Sequence, residues 1–396
     1  MSATPSSAEM SNKEHFLPVP LAILTDSLAE HLGDVSGKAD FQRFAEGLVL
    51  YYDALFSQRL ELLKHLYYPF NPDWDTLSLP AVDAGSLARD RKTLMGEIKQ
   101  LLQQANFQPL DQETLHQALN KISPRGVEVS VDLEEFEEIL IYYCGSAAYT
   151  VKRRDWRSLY LQEETFTIPV YQRLFVLLKL KPWSGRLVEQ DIFIKLFKEI
   201  PHSDLETIFP NTQIRLRMLD KIKLAVTGGG GVIGGVMSAM GRMAVAASPM
   251  RIVTALGALG AIIWREVAKV FSQRTQYMAK LSKSLYFYNL DNNMGALSWL
   301  IEAASSEEAK EVLLAYGLLW AQGGMTEAEL DRAIESFMDE KFGVKMNFDV
   351  ADGLRKLRDM NLLREEASGR LAVIEPPLAH AELRERWDAL FPAMVD

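Results

Sequence analysis

Two neighbouring stretches decide the fold: ILIYYCGSAAYTVKRR at residues 139–154 and ETFTIPVYQRLFVLLKLK at residues 164–181. Both are rich in aromatic and β-branched residues, which favour extended backbone in a sheet. DIFIKLFKEI at residues 191–200 has the same character, and GVEVSV at residues 126–131 alternates apolar and polar side chains. These stretches predict a β-rich, basic α+β module over residues 123–220.

The chain before this module is predicted to be helical. In residues 38–71 apolar side chains recur close to a 3.6-residue period, and the stretch ends at two prolines. We therefore predict a helical domain over residues 16–122, preceded by a disordered lead at residues 1–15. The periodic positions are Phe41, Phe44, Leu48, Leu55, Leu62 and Leu66.

Charge divides the chain into three parts. Residues 1–150 hold 22 acids and 11 bases, residues 151–301 hold 11 acids and 21 bases, and residues 302–396 hold 20 acids and 11 bases. The middle is therefore basic and both ends are acidic. A basic segment of this kind is suited to phosphate groups, on nucleic acid or on lipid. The single cysteine excludes an internal disulfide.

A glycine run, TGGGGVIGG at residues 227–235, contains a G-x-G-x-x-G match at Gly229, Gly231 and Gly234. A dinucleotide-binding fingerprint needs an acidic residue about twenty positions further on. Residues 221–265 contain no Asp or Glu, and no Gly-Lys-Ser/Thr follows the run. The run is therefore not a dinucleotide or nucleotide loop, and we expect no cofactor and no metal.

The same acid-free tract favours lipid. Residues 224–241 and 252–264 carry no charge and are separated by a basic turn that contains proline. Small residues four apart allow two helix backbones to approach closely in lipid. We predict a Gly-rich helical membrane hairpin over residues 221–265; a buried helical pair within a soluble domain is the alternative. The predicted helix-packing residues are Gly230, Gly231, Gly234, Gly235, Gly257 and Ala261.

Cations flank this hairpin and predict its orientation. More Lys and Arg residues lie before and after it than in its turn, so both termini are expected in the cytoplasm, with the protein in a bacterial inner membrane. Several basic or interfacial residues are predicted to contact lipid headgroups; for the segment at residues 152–157 a solvated strand end is the alternative. The predicted headgroup contacts are Lys152, Arg153, Arg154, Trp156, Arg157, Arg242 and Arg251.

The C-terminal part is predicted to be helical and then to form a winged helix. Residues 266–300 are expected to form a juxtamembrane helix. Residues 301–396 are expected to form three helices, each with a start signal (Ser305, Thr326 and Asn347), followed by a β-hairpin with its turn at Ser368 and Gly369. The helix equivalent to a DNA-recognition helix carries three bases and three acids within an acidic segment. Phosphate contacts supply most non-specific DNA affinity, so we expect protein binding or self-association, and no nucleic acid.

Catalytic alternatives are few. Cys144 as a nucleophile with His202 or His65 as base is possible by residue type, but a lone cysteine in an apolar strand is typical of a core. His202 and Asp204 are compatible with acid–base chemistry, whereas Ser203 and Asp204 before an apolar run are typical of a helix cap. We predict no catalytic residues.

Several motifs occur in an order that resembles a known family. They include HFLPVP, YYPFNPDWDT, KRRDWRSLY, IFIKLFKEIPHSDLETIFP and SLYFYNLDNN. Over roughly residues 14–375 the chain resembles the uncharacterised family of transmembrane protein 143. The resemblance implies membrane association through the apolar pair at residues 224–264, a mitochondrial setting in animals, and no catalytic residues. Without a presequence, this chain looks like a bacterial member.

The sequence thus predicts an α+β multidomain protein with an N-terminal helical domain, a β-rich middle module, a Gly-rich membrane hairpin and a C-terminal winged-helix-like domain. Its predicted function is that of a non-enzymatic, membrane-associated scaffold or adaptor. The alternatives are a membrane-surface hydrolase or lipid-modifying enzyme, and a nucleic-acid-binding winged-helix protein.

Overall fold

The computed structural model describes part of the chain. The described residues are 15–31, 35–73, 83–111, 113–115, 127–154, 163–181, 191–209, 213–216, 286–366 and 369–391. They fall into two compact units, the first formed by Met1–Leu110, Phe136–Pro201 and Asn289–Asp396, the second by Asp111–Glu135 and His202–Tyr288. This division cuts across the segments predicted from sequence, because the first unit joins the N-terminal helices, the long strands and the C-terminal region.

The predicted class is confirmed at the level of a mixed fold, with helices at both ends and a central antiparallel sheet. Helices α1 (Leu21–His31), α2 (Val35–Tyr67) and α3 (Ala84–Gln104) open the first unit. The N-terminal end of α3 is capped by Asp83, whose side chain accepts a hydrogen bond from the backbone of Ser86.

One of the periodic apolar positions of α2 is exposed. Phe41, Phe44 and Leu48 are fully buried, but Leu62 is 44% exposed and its neighbour Leu63 is buried. Over the 33 residues of α2, the 3.6-residue turn makes the buried stripe drift around the axis relative to a fixed seven-residue spacing. Leu63 therefore takes the inward position that the periodicity assigned to Leu62.

A five-stranded antiparallel sheet forms the centre of the first unit. Its strand order is β1-β3-β4-β5-β7. Strands β3 and β4 pair over almost their whole length, from Phe136 opposite Leu180 to Arg154 opposite Glu163. In β4 the run from Leu174 to Leu178 is buried without interruption, which means that both faces of this strand are covered. The strands are β1 (Gln108–Pro109), β3 (Phe136–Arg154), β4 (Glu163–Leu180), β5 (Ile192–Pro201) and β7 (Asn289–Asn292).

The long helix α4 (Asn293–Gln322) lies at the core of the first unit. It contacts α1, α2, α3 and the two helices that follow it, and its residues are buried around the whole circumference between Glu307 and Leu319. The predicted start of this helix at Ser305 is wrong. Ser305 lies inside the helix and its hydroxyl donates to Asp53 on α2 at 2.8 Å, so its polar group has a tertiary partner and no capping role.

The predicted juxtamembrane helix over residues 266–300 also differs from the structure. Of this segment the structure describes residues 286–300, in which residues 286–288 are helical and strand β7 then pairs with β5 before α4 begins. Residues 289–292 are extended because their backbone pairs with strand β5, as Asn292 does with Lys195. This pairing satisfies backbone groups that would otherwise bond within a helix.

Beyond α4, two helices and a hairpin follow in the predicted order. A bridge between Met325 and Leu371 adds a third extended segment to the hairpin. Thr326 and Glu329 form a capping box at the start of the first helix. The elements are α5 (Glu327–Phe342), α6 (Val350–Asp359), β8 (Leu363–Glu365), β9 (Leu371–Val373) and a final helix that was not predicted, α7 (Pro376–Leu390).

The second unit is described only in part. Strand β2 (Val127–Ser130) pairs antiparallel with β6 (Gln213–Leu216). A 3₁₀ helix, His202–Ile208, follows the strand β5 in the chain, and Leu205 and Ile208 in it are buried. Residues 1–14 of the predicted disordered lead lie outside the described residues, and so does the whole predicted Gly-rich hairpin. Within the described ranges, no helix combines the length and the apolar character needed to cross a bilayer.

Candidate functional site: a pocket beside a buried ion-pair cluster

The first unit contains a pocket of about 460 Å³. The segment at residues 16–20 forms one side, strands β3, β4 and β5 form another, and the first half of α4 closes it. Its volume lies in the range of small-molecule sites, roughly 300–1,000 Å³. The pocket therefore has the size of a ligand site, and its chemistry depends on the side chains that line it.

One wall of the pocket is aromatic. Phe16, Phe107 and Trp299 all line it, and the rings of Phe107 and Trp299 meet edge to face with their centroids 6.2 Å apart. Such a contact fixes both rings and stabilises the wall beyond simple area burial. The pocket thus offers a preformed apolar surface.

The sheet is distorted where it borders the pocket. One row across three strands contains Gly145 on β3, Gln172 on β4 and Glu199 on β5. The regular register of backbone pairs is interrupted at these positions. Gly145 has φ +74° and Glu199 has φ +51°, both in the left-handed region. A Cβ added to Gly145 would overlap the Gln172 amide. Strained backbone of this kind is found preferentially at functional sites.

Charged and polar groups line the pocket on the sheet side. The Tyr149 hydroxyl donates to the Glu199 carboxylate at 2.8 Å. Burial, and then the hydrogen bond to Glu199, raise the pKa of Tyr149 to about 12. The guanidinium of Arg173 lies 5.8 Å from the centre of the Trp299 ring and donates to the Gln172 carbonyl at 2.8 Å. Arg173 is therefore oriented by an aromatic face.

An ion pair on α4 forms the floor of the pocket. The Lys310 ammonium lies 2.7 Å from Glu307, and both side chains are buried. The same two side chains hold the backbone of Leu17, whose N–H donates to Glu307 at 3.1 Å and whose carbonyl accepts from Lys310 at 2.9 Å. The segment at residues 16–20 is thus fixed over the floor through its main chain.

This floor is continuous with a second buried cluster. The amide of Asn106 donates to Glu307 at 3.1 Å and to Glu311 at 2.8 Å, so it links the two carboxylates along α4. Asn106 itself has φ +57°, a conformation that asparagine tolerates better than most residues. The pocket is therefore connected through hydrogen bonds to a second carboxylate, one helical turn further along α4.

Lys356 on α6 is the centre of the second cluster. Its ammonium lies 2.9 Å from Glu308 and 2.8 Å from Asp352, and it also pairs with Glu311. Burial alone lowers the pKa of Lys356, but the carboxylates of Glu311 and Glu308 outweigh it and raise that pKa above its ordinary value. Burial raises the pKa of Glu311 to about 7, against the opposing effect of Lys356.

The exposed cations of α6 are paired as well. Arg355 pairs with Asp352 on the same helix and lies 3.4 Å from Asp359. Arg358 lies 2.7 Å from Glu365 on β8. Each of the three bases of α6 therefore has a carboxylate partner within the chain.

Of the residues that the catalytic alternatives combined, Cys144 alone lines this pocket. Cys144 is buried, lines the pocket and lies 3.8 Å from the Ala105 carbonyl. His65 is exposed on α2 and does not line this pocket. His202 and Asp204 belong to the second unit, where Asp204 accepts a hydrogen bond from Ser203 at 3.0 Å. The pocket therefore gives the hydrolase interpretation no support.

The predicted lipid-facing residues are mostly beyond the described part. Lys152, Arg153 and Arg154 end strand β3, where their backbone faces residues 163–165 of β4. The remaining predicted residues lie outside the described ranges: Trp156, Arg157, Gly230, Gly231, Gly234, Gly235, Arg242, Arg251, Gly257 and Ala261. Within the described ranges, no group of three His, Cys, Asp or Glu side chains is arranged to hold a metal ion.

The charged residues of the pocket and its floor were not predicted. Arg173 and Glu199 lie on the sheet, Glu307 and Lys310 lie on α4, and these two groups come together only through the packing of the helix on the sheet. One local signal was present, namely a charged run at residues 307–311 directly before the apolar run at residues 312–319. A charged run that continues into a fully apolar helix indicates charges with buried partners.

Comparison with known proteins assigns a family to part of the chain. Residues 136–295 match a family described as a protein of unknown function (DUF3754). The matched segment is less than half of the 396 residues and contains β3, β4, β5 and β7, including the pocket residues on the sheet. No solved structure matches the chain. The resemblance to the transmembrane protein 143 family and the bacterial origin stay predictions.

Proposed function

We propose that this protein is a non-enzymatic, membrane-associated adaptor whose acidic C-terminal region binds a protein partner. In this proposal the acid-free tract at residues 221–265 attaches the chain to lipid. Cations on both sides of that tract keep both termini in the cytoplasm. Residues 301–396 form a winged-helix-like domain; the order of α5, α6, β8 and β9, with the bridge at Met325, supports this interpretation.

The observation that carries the choice of a protein partner is the internal pairing of the α6 cations. Arg355 and Arg358 bind carboxylates of the chain, and Lys356 is 5% exposed within its acidic cluster. A DNA-binding helix needs free cations for phosphate, since phosphate contacts dominate affinity. With 20 acids against 11 bases in residues 302–396, this surface suits a basic protein surface.

Flotation tests the membrane part. After detergent-free lysis, the full chain is expected to rise with the membrane fraction of a sucrose gradient. Ile233→Asp places a charge in the first apolar block and is expected to weaken membrane attachment roughly a hundred-fold, from a cost of about 3 kcal/mol. Ser336→Asp, at an exposed position of α5, is the matched control and should float like the unchanged chain. Recovery of the unchanged chain only in the dense soluble fractions would contradict membrane attachment.

Charge reversal tests the partner-binding part. Asp339 and Glu340 are exposed near the end of α5. Changing both to lysine is expected to reduce co-purification of a partner captured by cross-linking, and to make the remaining binding less sensitive to salt. Identical partner recovery from the reversed and the unchanged chain across a salt series would count against an acidic binding surface.

A further inference from the structure

The pocket of the first unit combines both signs of charge with an aromatic wall. Arg173 lies on the sheet side, the carboxylates of Glu199 and Glu302 also line the pocket, and Trp299 contributes to its wall. Small-molecule sites characteristically pair an apolar lining with a few placed polar groups. The charged groups of this pocket differ in whether other groups of the protein already neutralise them.

The floor pair makes most of its hydrogen bonds within the protein. Lys310 is bound to Glu307 and to the Leu17 carbonyl, and Glu307 accepts from Leu17, Asn106 and Lys310. The two opposite charges cancel and their hydrogen bonds are made within the protein. The charges of the pocket that are not balanced by this pair are those of Arg173, Glu199 and Glu302.

Arg173 is prepared to receive an anion. Among the described residues it has no carboxylate partner, and it donates a hydrogen bond to the main-chain carbonyl of Gln172. The Trp299 ring supports its guanidinium. A guanidinium offers five N–H donors in a planar fork that matches the two oxygens of a carboxylate.

The two carboxylates are suited to a cation. Glu302 is exposed and forms no ion pair within the described part of the chain. Glu199 accepts one hydrogen bond from Tyr149, and its backbone is left-handed at the point where strand β5 is distorted. A singly anionic ligand would add to an excess of negative charge here, and a singly cationic ligand would leave Arg173 without a partner. A zwitterion satisfies both signs.

We propose that this pocket binds a free α-amino acid with a large apolar side chain. Its carboxylate pairs with Arg173, its ammonium group pairs with Glu302 and Glu199, and its side chain packs against Phe16 and Trp299. The inference rests on the first unit alone and does not depend on membrane attachment or on a protein partner.

Four compounds with one ring and different charges test the inference. Calorimetric titration of the full chain compares L-phenylalanine, its methyl ester, N-acetyl-L-phenylalanine and the N-acetyl methyl ester, which are zwitterion, cation, anion and neutral molecule. The zwitterion is expected to bind at least about ten-fold more tightly than each of the others, since the two singly charged compounds lack one charge-assisted contact and the neutral compound lacks both. Equal binding of all four, tighter binding of a singly charged compound, or no binding of L-phenylalanine at millimolar concentration would overturn the inference.

Matched variants locate the site. Arg173→Gln and Glu302→Gln are each expected to weaken L-phenylalanine binding at least about ten-fold. Arg332→Gln is the control, because Arg332 is exposed on α5 and bonds only to the Ala328 carbonyl among the described residues. If thermal unfolding shows that Arg173→Gln does not fold, the exposed Glu302 carries the test. Unchanged affinity in every folded pocket variant would overturn the assignment.

Discussion

Two buried lysines use the acidic stretch of α4 in different ways. Lys310 binds one carboxylate, Glu307, and one backbone carbonyl. Lys356, which reaches α4 from α6, is surrounded by three carboxylates. The first cluster is electrically balanced, whereas the second contains more negative than positive charge.

This difference in charge balance has different consequences for the two clusters. The balanced pair fixes the segment at residues 16–20 over the pocket and leaves no charge to be neutralised. In the unbalanced cluster, burial raises the pKa of Glu311 because one ammonium cannot fully stabilise several buried carboxylates. The cluster around Lys356 should therefore be the more sensitive to loss of its cation and to pH.

The largest effect is expected from Lys356→Met. The change leaves Glu308, Glu311 and Asp352 near one another without their shared cation, and breaking a buried ion pair in this way costs about 3–5 kcal/mol. Urea unfolding would measure the loss in the free energy of unfolding. Arg358→Met removes an exposed pair and is expected to cost at most about 1 kcal/mol. Equal losses in the two variants would remove the contrast between buried and exposed pairs.

Lys310→Met is expected to destabilise less than Lys356→Met, by about 3 kcal/mol at the lower end of the same range, since only Glu307 loses its cation. The Leu17 carbonyl also loses its donor, so amide hydrogen exchange at residues 16–20 should accelerate selectively. Unchanged exchange in that segment would show that its main chain is not held by the floor pair.

The raised pKa of Glu311 predicts a pH dependence. The native state keeps a proton on Glu311 up to about pH 7, whereas the unfolded chain releases it near its ordinary value of 4.5. As pH rises through this window, the unfolded state binds fewer protons, so the free energy of unfolding falls, by an amount on the order of 1–3 kcal/mol. Glu311→Gln should flatten this part of the profile, with the exposed Glu327→Gln as control. An unaltered slope in Glu311→Gln would assign the titration elsewhere.

On the pocket side, Gly145→Ala is expected to cost about 1–2 kcal/mol, because a side chain disfavours the left-handed backbone at φ +74° and meets Gln172. Gly96→Ala is the matched control. Gly96 lies inside α3 with open space around the added carbon, so this change should stabilise by about 0.5–1 kcal/mol. Thermal unfolding distinguishes the two, and a stabilising Gly145→Ala would mean that the row of distorted residues is not strained.

The strands and helices that are determined by residues close together in the sequence could be predicted. The long strands were evident from aromatic and β-branched residues, and α5 from its Thr326 capping signal. The extent of α4 was not, because Ser305 looks like a cap in sequence but bonds to Asp53 on another helix. Helix α7 was missed although Pro376 stands at its first turn, where proline is favoured.

The pocket could not be derived from spacing. Phe16, Arg173 and Lys310 are brought together by a main-chain contact at Leu17 and by strand pairing, neither of which is encoded near those residues. The sequence did indicate correctly that α6 carries acids beside its bases. It did not indicate that each base is paired, since one partner, Glu365, lies on a different element and another, Glu311, on a different helix.

Binding of a fluorescent DNA duplex to the full chain tests most directly whether the α6 cations are paired within the protein. The salt concentration is raised stepwise from a low value. Arg355→Gln/Arg358→Gln is compared with the unchanged chain. We expect the double change to alter neither the affinity for DNA nor the salt dependence of that affinity. The reason is that these guanidinium groups form ion pairs with Asp352, Asp359 and Glu365. Salt-sensitive DNA binding that the double change abolishes would show that α6 presents free cations to phosphate, and would contradict an acidic, protein-binding C-terminal region.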